Sequence, residues 1–362
     1  MSKEVIKRRI RAIRRSLSKK RISCLLVTKP ANVTYVTGFL GEDSWALLTS
    51  SRIYLLTDSR YTEQAQKECL ACRIIDRAGP MGDAMAELVK KLKSVRTVTI
   101  ENSTSVAKFE QLKKTVKARF RTAENIIETA RTVKDDSEIA AIKSAASISA
   151  RALRQTLAHI RPGVSESELA GMLDFQIRKL GGRSSFETIV AFGPNASRPH
   201  HQPGARKLRK KDTVLIDFGA RYKGYCSDIT RCFAVGEPTA FFTKVFNVVE
   251  QAQAAAIKKI RAGVKLTEID AAARQTIAQT DLPVYGHGSG HGFGLEIHES
   301  PFLKEDAKGR LEAGQIITIE PGIYIPGKLG VRIEDDVLVT QTGHKILTRS
   351  CRHSHLLPHF TG

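Results

Sequence analysis

Apolar residues recur at helical spacing at the start of the chain, where Ile6, Ile10, Ile13 and Leu17 mark one face of residues 1–21. The pattern then shortens. Ser23–Val27, Ala46–Thr49, Arg52–Leu56 and Thr97–Ile100 are brief β-branched or apolar runs that predict strands, while Tyr61–Cys69 and Ala84–Leu92 read as helices between them. Strands alternating with helices predict a mixed or parallel sheet with helices packed on it. No glycine-rich phosphate loop accompanies them, which argues against a nucleotide site.

Near residue 130 the texture changes. The charged segment TARTVKDDSEI leads into a long helix predicted from Glu138 to about Ile160, with Ile139, Ile142, Ala146 and Ile148 on its apolar face and Asp136 or Ser137 as N-cap. Pro162–Gly163 ends it, and Glu166–Leu180 forms a second helix. Strands follow Gly181–Gly182, with further helices at Ala240–Ala262 and Leu266–Gln279. A chain of 362 residues is long for one core, so a domain boundary is placed near residue 130. A repeated helix–helix–strand order within the second part stays an open expectation.

Thr213–Phe218 and Tyr225–Phe233 predict a hairpin joined by Arg221–Tyr222–Lys223–Gly224. With the turn centred on Tyr222–Lys223, Asp217 and Asp228 would stand directly opposite each other, about 4.5–5.5 Å apart at Cβ. Either aspartate alone reads as a solvated face residue; the pair suits a cation. Asp217 in VLIDFGA and Asp228 in GYCSDITR are joined by His291 in GHGSGHGFGLEIHE, Glu320 in IITIEPGIY and Glu334 in VRIEDDVLV. Hard oxygen donors with one imidazole suit a pair of divalent ions such as Mn²⁺, Co²⁺ or Zn²⁺. Four carboxylates are not buried together unless cations neutralise them.

Composition changes the picture in two places. The formal charge is +21, and Lys3, Lys7, Arg8, Arg9, Arg11, Arg14, Arg15, Lys19, Lys20 and Arg21 face only Glu4. Such a basic face suits nucleic acid or an anionic membrane, and an Arg-rich, acid-poor start also fits a targeting peptide. The strand-like SCLLV run that follows at once favours a solvated first helix of a folded domain. The six cysteines (Cys24, Cys69, Cys72, Cys226, Cys232, Cys351) lack framework spacing, and the lone Cys69–Cys72 CxxC has no second pair, so reduced thiols in a cytoplasmic protein are expected. No run approaches the ~20 apolar residues of a membrane span.

With these residues in view, the chain resembles the pita-bread metallopeptidases, in the Xaa-Pro aminopeptidase and prolidase branch. The ligand order Asp–Asp–His–Glu–Glu and its spacings match, as do TKPANVTYVTGF and LTDSRY in the first part. The resemblance implies an α/β (α+β) protein with a creatinase-like N-terminal α/β domain at 1–130 and a pita-bread metallopeptidase catalytic domain at 131–362. It implies that Asp217 binds one metal and His291 with Glu320 the other, while Asp228 and Glu334 bridge both. A metal-bridged hydroxide would be the nucleophile, with Glu320 shuttling its proton. His200 in SRPHHQP, chosen over His201 by its distance from Asp217, and His287 and His298 would line the pocket and hydrogen-bond the substrate. Arg332 and Tyr324 would orient the bridging carboxylates. Cys226, with the ligand set complete, reads as a small packed residue.

An Xaa-Pro bond lacks the N–H that many peptidases grip, and its ring fixes φ. The resemblance therefore implies an exopeptidase for peptides with proline in second position, two divalent ions (manganese foremost, cobalt or zinc otherwise), and a homodimer. Prolidase, restricted to dipeptides, shares the chemistry. Methionine aminopeptidase is disfavoured by the first domain. A pita-bread binding protein without activity would lack ligands, and none is missing; nucleic acid and membrane are not expected partners.

Overall fold

The computed structural model describes residues 2–351; the last eleven residues of the span 131–362 lie outside the described ones. The amphipathic start forms α1 (Lys3–Lys19), N-capped by Ser2, whose hydroxyl accepts from the Val5 N–H. Ile6, Ile10, Ile13 and Leu17 are buried as their spacing predicts. Arg9, expected on the basic outer face, is buried too, with its guanidinium 4.5 Å from the centre of the Tyr35 ring. Position 9 falls on the stripe set by 6, 10 and 13, so the helical period turns it inward.

The chain forms two compact units, Met1–Arg131 and Thr132–Gly362. In the first, β1 (Cys24–Val27), α2 (Pro30–Thr37), β2 (Trp45–Thr49), β3 (Ile53–Asp58), α3 (Thr62–Glu68) and β4 (Arg73–Arg77) are followed by α4 (Met81–Lys91), β5 (Thr97–Glu101), α5 (Val106–Thr115) and β6 (Arg119–Ala123). The six strands make one mixed sheet in the order β4-β3-β2-β1-β5-β6, antiparallel at β2 and parallel at both flanks. Leu26, Leu47, Leu56, Met85, Val98 and Ile100 form its core, which explains the short continuous apolar runs. Cys69 and Cys72, the lone CxxC, are both free thiols.

The first unit ends in α6 (Ile126–Thr132), whose last residue falls at the boundary, and the second runs through α7 (Asp136–Thr156) and α8 (Glu166–Lys179). Asp135 caps α7 one residue earlier than expected, in a reciprocal box with Glu138, because an aspartate at that position reaches the N–H groups of Ser137 and Glu138. Strands β7 (Arg183–Ser184), β8 (Ile189–Phe192), β9 (Thr213–Phe218), β10 (Ala220–Tyr222), β11 (Tyr225–Cys226) and β12 (Ile229–Ala234) follow. Then α9 (Ala240–Lys259) and α10 (Leu266–Ala278) precede β13 (Gly290–Gly292), β14 (Glu299–Leu303), β15 (Ile316–Ile319), β16 (Gly322–Ile325), β17 (Leu329–Arg332), β18 (Asp335–Val339) and β19 (His344–Ile346).

A helix pair followed by strands therefore occurs twice. The two copies share a local device: Gly163 and Gly263 donate to the carbonyls of Leu208 and Leu311, whose own N–H groups return to Val164 and Val264. The core divides in the same way, with Leu153, Leu169, Leu173 and Phe218 on one side and Val245, Val249, Ile269 and Ile277 on the other.

The predicted hairpin exists with a shifted register. Tyr222 pairs Tyr225, leaving Lys223 and Gly224 as a two-residue turn with φ of 48° and 85°. Two positive φ angles are what a type I′ hairpin turn requires, and glycine adopts one at no steric cost. Asp217 is thus opposed by Thr230, and Asp228 lies diagonally, two residues away. The second strand is also interrupted at Ser227–Asp228 rather than continuous. There Gly219 passes so close that a Cβ would fall 1.9 Å from the Ser227 carbonyl oxygen.

Candidate metal centre

The five predicted ligands reach one cleft of about 750 Å³ from five places in the second unit: β9, the break before β12, β13, the residue after β15 and the link between β17 and β18. Asp228, His291 and Glu334 each bring one donor atom to within 4.8 Å of the others. Glu320 Oε1 lies 3.4 Å from His291 Nε2, and Asp228 Oδ2 lies 3.7 Å from it. The His291 Nδ1–H donates to the Gly292 carbonyl at 3.0 Å, which leaves the lone pair on Nε2, facing the carboxylates. Burial keeps that imidazole neutral by pushing its pKa down.

The electrostatics are those of a site built around positive charge. Burial, then Glu334, Asp217 and Glu320, push the Asp228 carboxyl well above its ordinary pKa; burial, then Glu320 and Asp217, do the same to Glu334. Glu320 is raised by burial against the opposing pull of His287 and Arg332. Asp217 Oδ1 is buried with no hydrogen-bond partner. An orphaned carboxylate oxygen beside three other crowded carboxylates and a correctly turned imidazole is a donor set that fits divalent metal.

One network fixes the ligands. Arg332 Nη2 donates to Asp217 Oδ2 at 2.6 Å, its Nε to Thr230 Oγ1 at 3.0 Å, and its Nη1 to the Tyr324 hydroxyl at 2.9 Å. Thr230 Oγ1 in turn donates to Glu334 Oε2 at 2.6 Å. Arg332 therefore contacts Asp217 directly and Glu334 only through Thr230. Burial pushes the Tyr324 phenol up to about 12, so it stays protonated.

The histidines divide by partner. His200 and His201 both line the cleft. His201 Nε2 is 2.9 Å from Glu166 Oε2, a fully buried carboxylate on α8. Burial opposes ionisation of Glu166, but hydrogen bonds from Asn195, His201 and the Phe192 and Gly204 N–H groups outweigh it and hold its pKa low. His201 is thus tied down as donor, while His200 makes no hydrogen bond among the described residues. His298 stacks edge-on against His291 at 4.4 Å between ring centres, and burial pushes its pKa down. His287 has both ring nitrogens engaged: Nδ1–H donates to the Gly288 carbonyl at 2.8 Å, and Nε2 accepts from the Tyr324 hydroxyl at 3.0 Å. Cys226 and Cys232 are buried, and burial pushes both thiols up to about 12; Cys232 donates to the Arg332 carbonyl.

Sequence reasoning missed Thr230, Thr318 and Glu166. Thr230 lies two residues after Asp228 and so on the ligand side of its strand, a signal that was available. Thr318, whose hydroxyl donates to Glu320 Oε1 and accepts from the His291 N–H, likewise precedes its ligand by two.

Residues 140–341 match the model of metallopeptidase family M24, and residues 9–133 match that of the creatinase/prolidase N-terminal domain. An uncharacterized peptidase of Bacillus subtilis (strain 168) is 38% identical over 332 residues, covering 91% of this chain and 94% of that protein. Among solved structures, the Xaa-Pro dipeptidase from Bacillus anthracis aligns with a TM-score of 0.93 at 38% identity, over 97% of this chain and 100% of its own. The X-Pro aminopeptidase from Thermotoga maritima MSB8 gives 0.86 at 35% identity over 92% and 97% of the two chains. The prolidase from Pyrococcus furiosus gives 0.85 at 32% over 93% and 99%.

Proposed function

This chain belongs to metallopeptidase family M24, the pita-bread peptidases, in the Xaa-Pro aminopeptidase and prolidase branch with a creatinase-type N-terminal domain, and from that premise we propose that it removes the N-terminal residue of peptides with proline in second position, using two divalent ions, manganese foremost. The observation that carries the reading is the convergence of Asp228, His291 and Glu334 beside the unpartnered Oδ1 of Asp217. The unit up to about residue 130 is read as the accessory domain and residues 131–362 as the catalytic one. Cytoplasmic residence and a homodimer belong to the same proposal and rest on the family likeness.

Asp217, Asp228, His291, Glu320 and Glu334 are the residues proposed to hold the ions. Once bound, the metals supply positive charge that acidifies water and polarises the scissile carbonyl. Glu320, partly buried and with a raised pKa, would take a proton from the attacking water and pass it to the proline nitrogen, which must leave as a secondary amine. His298 and His200 line the cleft and would donate hydrogen bonds to the carbonyl oxygen as it gains charge. His287 would reach substrate only by exchanging Tyr324 for it, so its first role is to hold that phenol. Phe186, Ile189, Ile297 and Phe302 give the cleft an apolar wall suited to a pyrrolidine ring.

The name of the Bacillus anthracis relative favours a second reading, restriction to dipeptides. Digesting Ala-Pro, Ala-Pro-Ala and Ala-Ala-Ala with metal-restored protein separates the two. Release of alanine from both proline peptides and not from Ala-Ala-Ala supports the aminopeptidase. Cleavage of Ala-Pro alone moves the assignment to dipeptidase, and failure on both proline peptides overturns the substrate class.

A further inference from the structure

The loop that carries His287 and leads into His291 is not able to hold itself. Residues 285–290 read Tyr-Gly-His-Gly-Ser-Gly. Neighbouring backbone dictates two of the glycines: a Cβ at Gly288 would lie 2.8 Å from the Leu303 oxygen, and one at Gly290 would lie 2.0 Å from the Thr318 oxygen. Glycine loses more conformational freedom on folding than any other residue, so a loop that must contain it needs outside anchorage.

Besides one backbone bond, from the Ser289 N–H to the Leu303 carbonyl at 2.8 Å, that anchorage comes from α10. Asp270, fully buried, accepts on Oδ1 from Ser289 Oγ at 2.6 Å and, as the longer arm of a shared bond, from the Ser289 N–H at 3.3 Å. Because Ser289 gives its proton to Asp270, the Tyr285 hydroxyl 2.5 Å away must donate to Ser289 Oγ. The Ser289 carbonyl accepts the Glu320 N–H at 2.9 Å, which carries the anchorage on to a proposed ligand. Arg274, one turn further along α10, donates from Nε to Asp270 Oδ2 at 2.8 Å. Its Nη1 and Nη2 donate to the carbonyls of Tyr285 and His287 at 2.8 and 2.6 Å. Its guanidinium also lies 4.6 Å from the centre of the Tyr285 ring and 3.4 Å from the exposed Glu305 carboxylate. An ion pair serving the helix alone would not direct two of its N–H groups onto loop carbonyls.

We propose that Asp270 and Arg274 are positioning residues for the hydrolysis proposed above: they clamp the 285–290 loop so that His287, through Tyr324, and the Glu320 backbone keep their places. The claim rests on the Xaa-Pro hydrolase reading for its catalytic consequence and on geometry alone for the clamp. A guanidinium satisfies three acceptors at once, whereas an ammonium on a flexible stem does not reproduce that fork.

The test uses the full chain with Arg274→Gln, Arg274→Lys and Asp270→Asn, measured by amide hydrogen exchange on metal-stripped protein and by kcat and KM on Ala-Pro-Ala after Mn²⁺ is restored. Arg274→Gln is expected to speed exchange in the 285–291 segment by about tenfold while the rest of the unit keeps its protection. It should lower kcat by about 10- to 100-fold with KM and bound Mn²⁺ near wild type, as small misplacements near a reacting centre do. Arg274→Lys should recover part of both losses, and it carries the test if Arg274→Gln does not fold. Exchange that is unchanged in the loop overturns the clamp. So does exchange that rises throughout the unit in step with a lowered melting point, since that marks a purely structural ion pair. If wild-type protein cleaves no Xaa-Pro peptide, the functional reading fails, while the exchange data still decide the clamp.

Discussion

Asp217 gives one oxygen to Arg332 and keeps the other buried without a partner, so the fold leaves that carboxylate half satisfied. Removing one proposed bridging charge, by Asp228→Asn, should lower both bound metal and rate. His298→Ala should keep the metals and slow turnover by about 10²-fold, as the loss of a donor to a developing oxyanion does. Elemental analysis alongside kinetics checks the pair, and identical metal content and activity in the two variants would refute the division of roles. The raised pKa values of Asp228 and Glu334 also fix a sign. In metal-free protein these carboxyls bind protons that the unfolded chain releases, so their contribution to stability is present at acid pH and is lost as pH rises through the folded values. The melting temperature of stripped protein should therefore fall as pH rises above the ordinary carboxylate range. The gain on adding Mn²⁺ should grow over the same range, reaching about 2.7 kcal/mol at a hundredfold excess over Kd. A Mn²⁺ gain that shrinks with pH would contradict this. The five candidate ligands were legible as a set because each stands in its own local frame. Thr230 carried a signal through its spacing from Asp228, but its bond to Glu334 and the pairing of Glu166 with His201 join residues far apart in the chain and were not legible.

Hairpin register shows what an element adds to its residues. The β-branched and apolar runs VLIDF and ITRCFA marked two strands, yet the turn falls on Lys223–Gly224, one residue later than the polar run alone implied. Only the pairing of Tyr222 with Tyr225 and the positive φ of Lys223 decide it, and neither is visible in polarity. The long helices were legible in extent from periodicity and punctuation, whereas short α2 inside TKPANVTYVTGF carries little amphipathic signal and emerged only in the structure. Where the hairpin breaks, Gly219 lets Ser227 approach, and Gly219→Ala would push the two strands apart. The expected cost is about 1–3 kcal/mol, as for other overpacked sites. Because Asp228 lies in the break and Asp217 two residues before Gly219, metal content should fall with it. A melting curve and metal assay on this variant test the point, and wild-type values in both would show that the break does not set the spacing of the two aspartates.

The whole molecule carries a formal charge of +21, much of it on α1, and no helix among the described residues is long and apolar enough to cross a membrane. Replacing the exposed Arg11 and Arg15 by Gln should leave peptide cleavage within the about 0.5 kcal/mol typical of surface changes. Any DNA binding should be weak and fall steeply with salt. Tight binding near physiological salt that these substitutions abolish would give the basic helix a function of its own. The repeated helix-pair-and-strand order was suggested by the sequence but not fixed by it, since the Gly-Val device the halves share spans only two residues in each copy. Those halves deliver the five candidate ligands to one cleft, and the account stands on what that cleft holds. The most direct measurement is metal stoichiometry by elemental analysis during Mn²⁺ titration of stripped protein, with Ala-Pro-Ala turnover followed in parallel. Two ions per chain, with no turnover before metal is added, is the predicted result; full turnover in excess chelator with metal absence verified would contradict it.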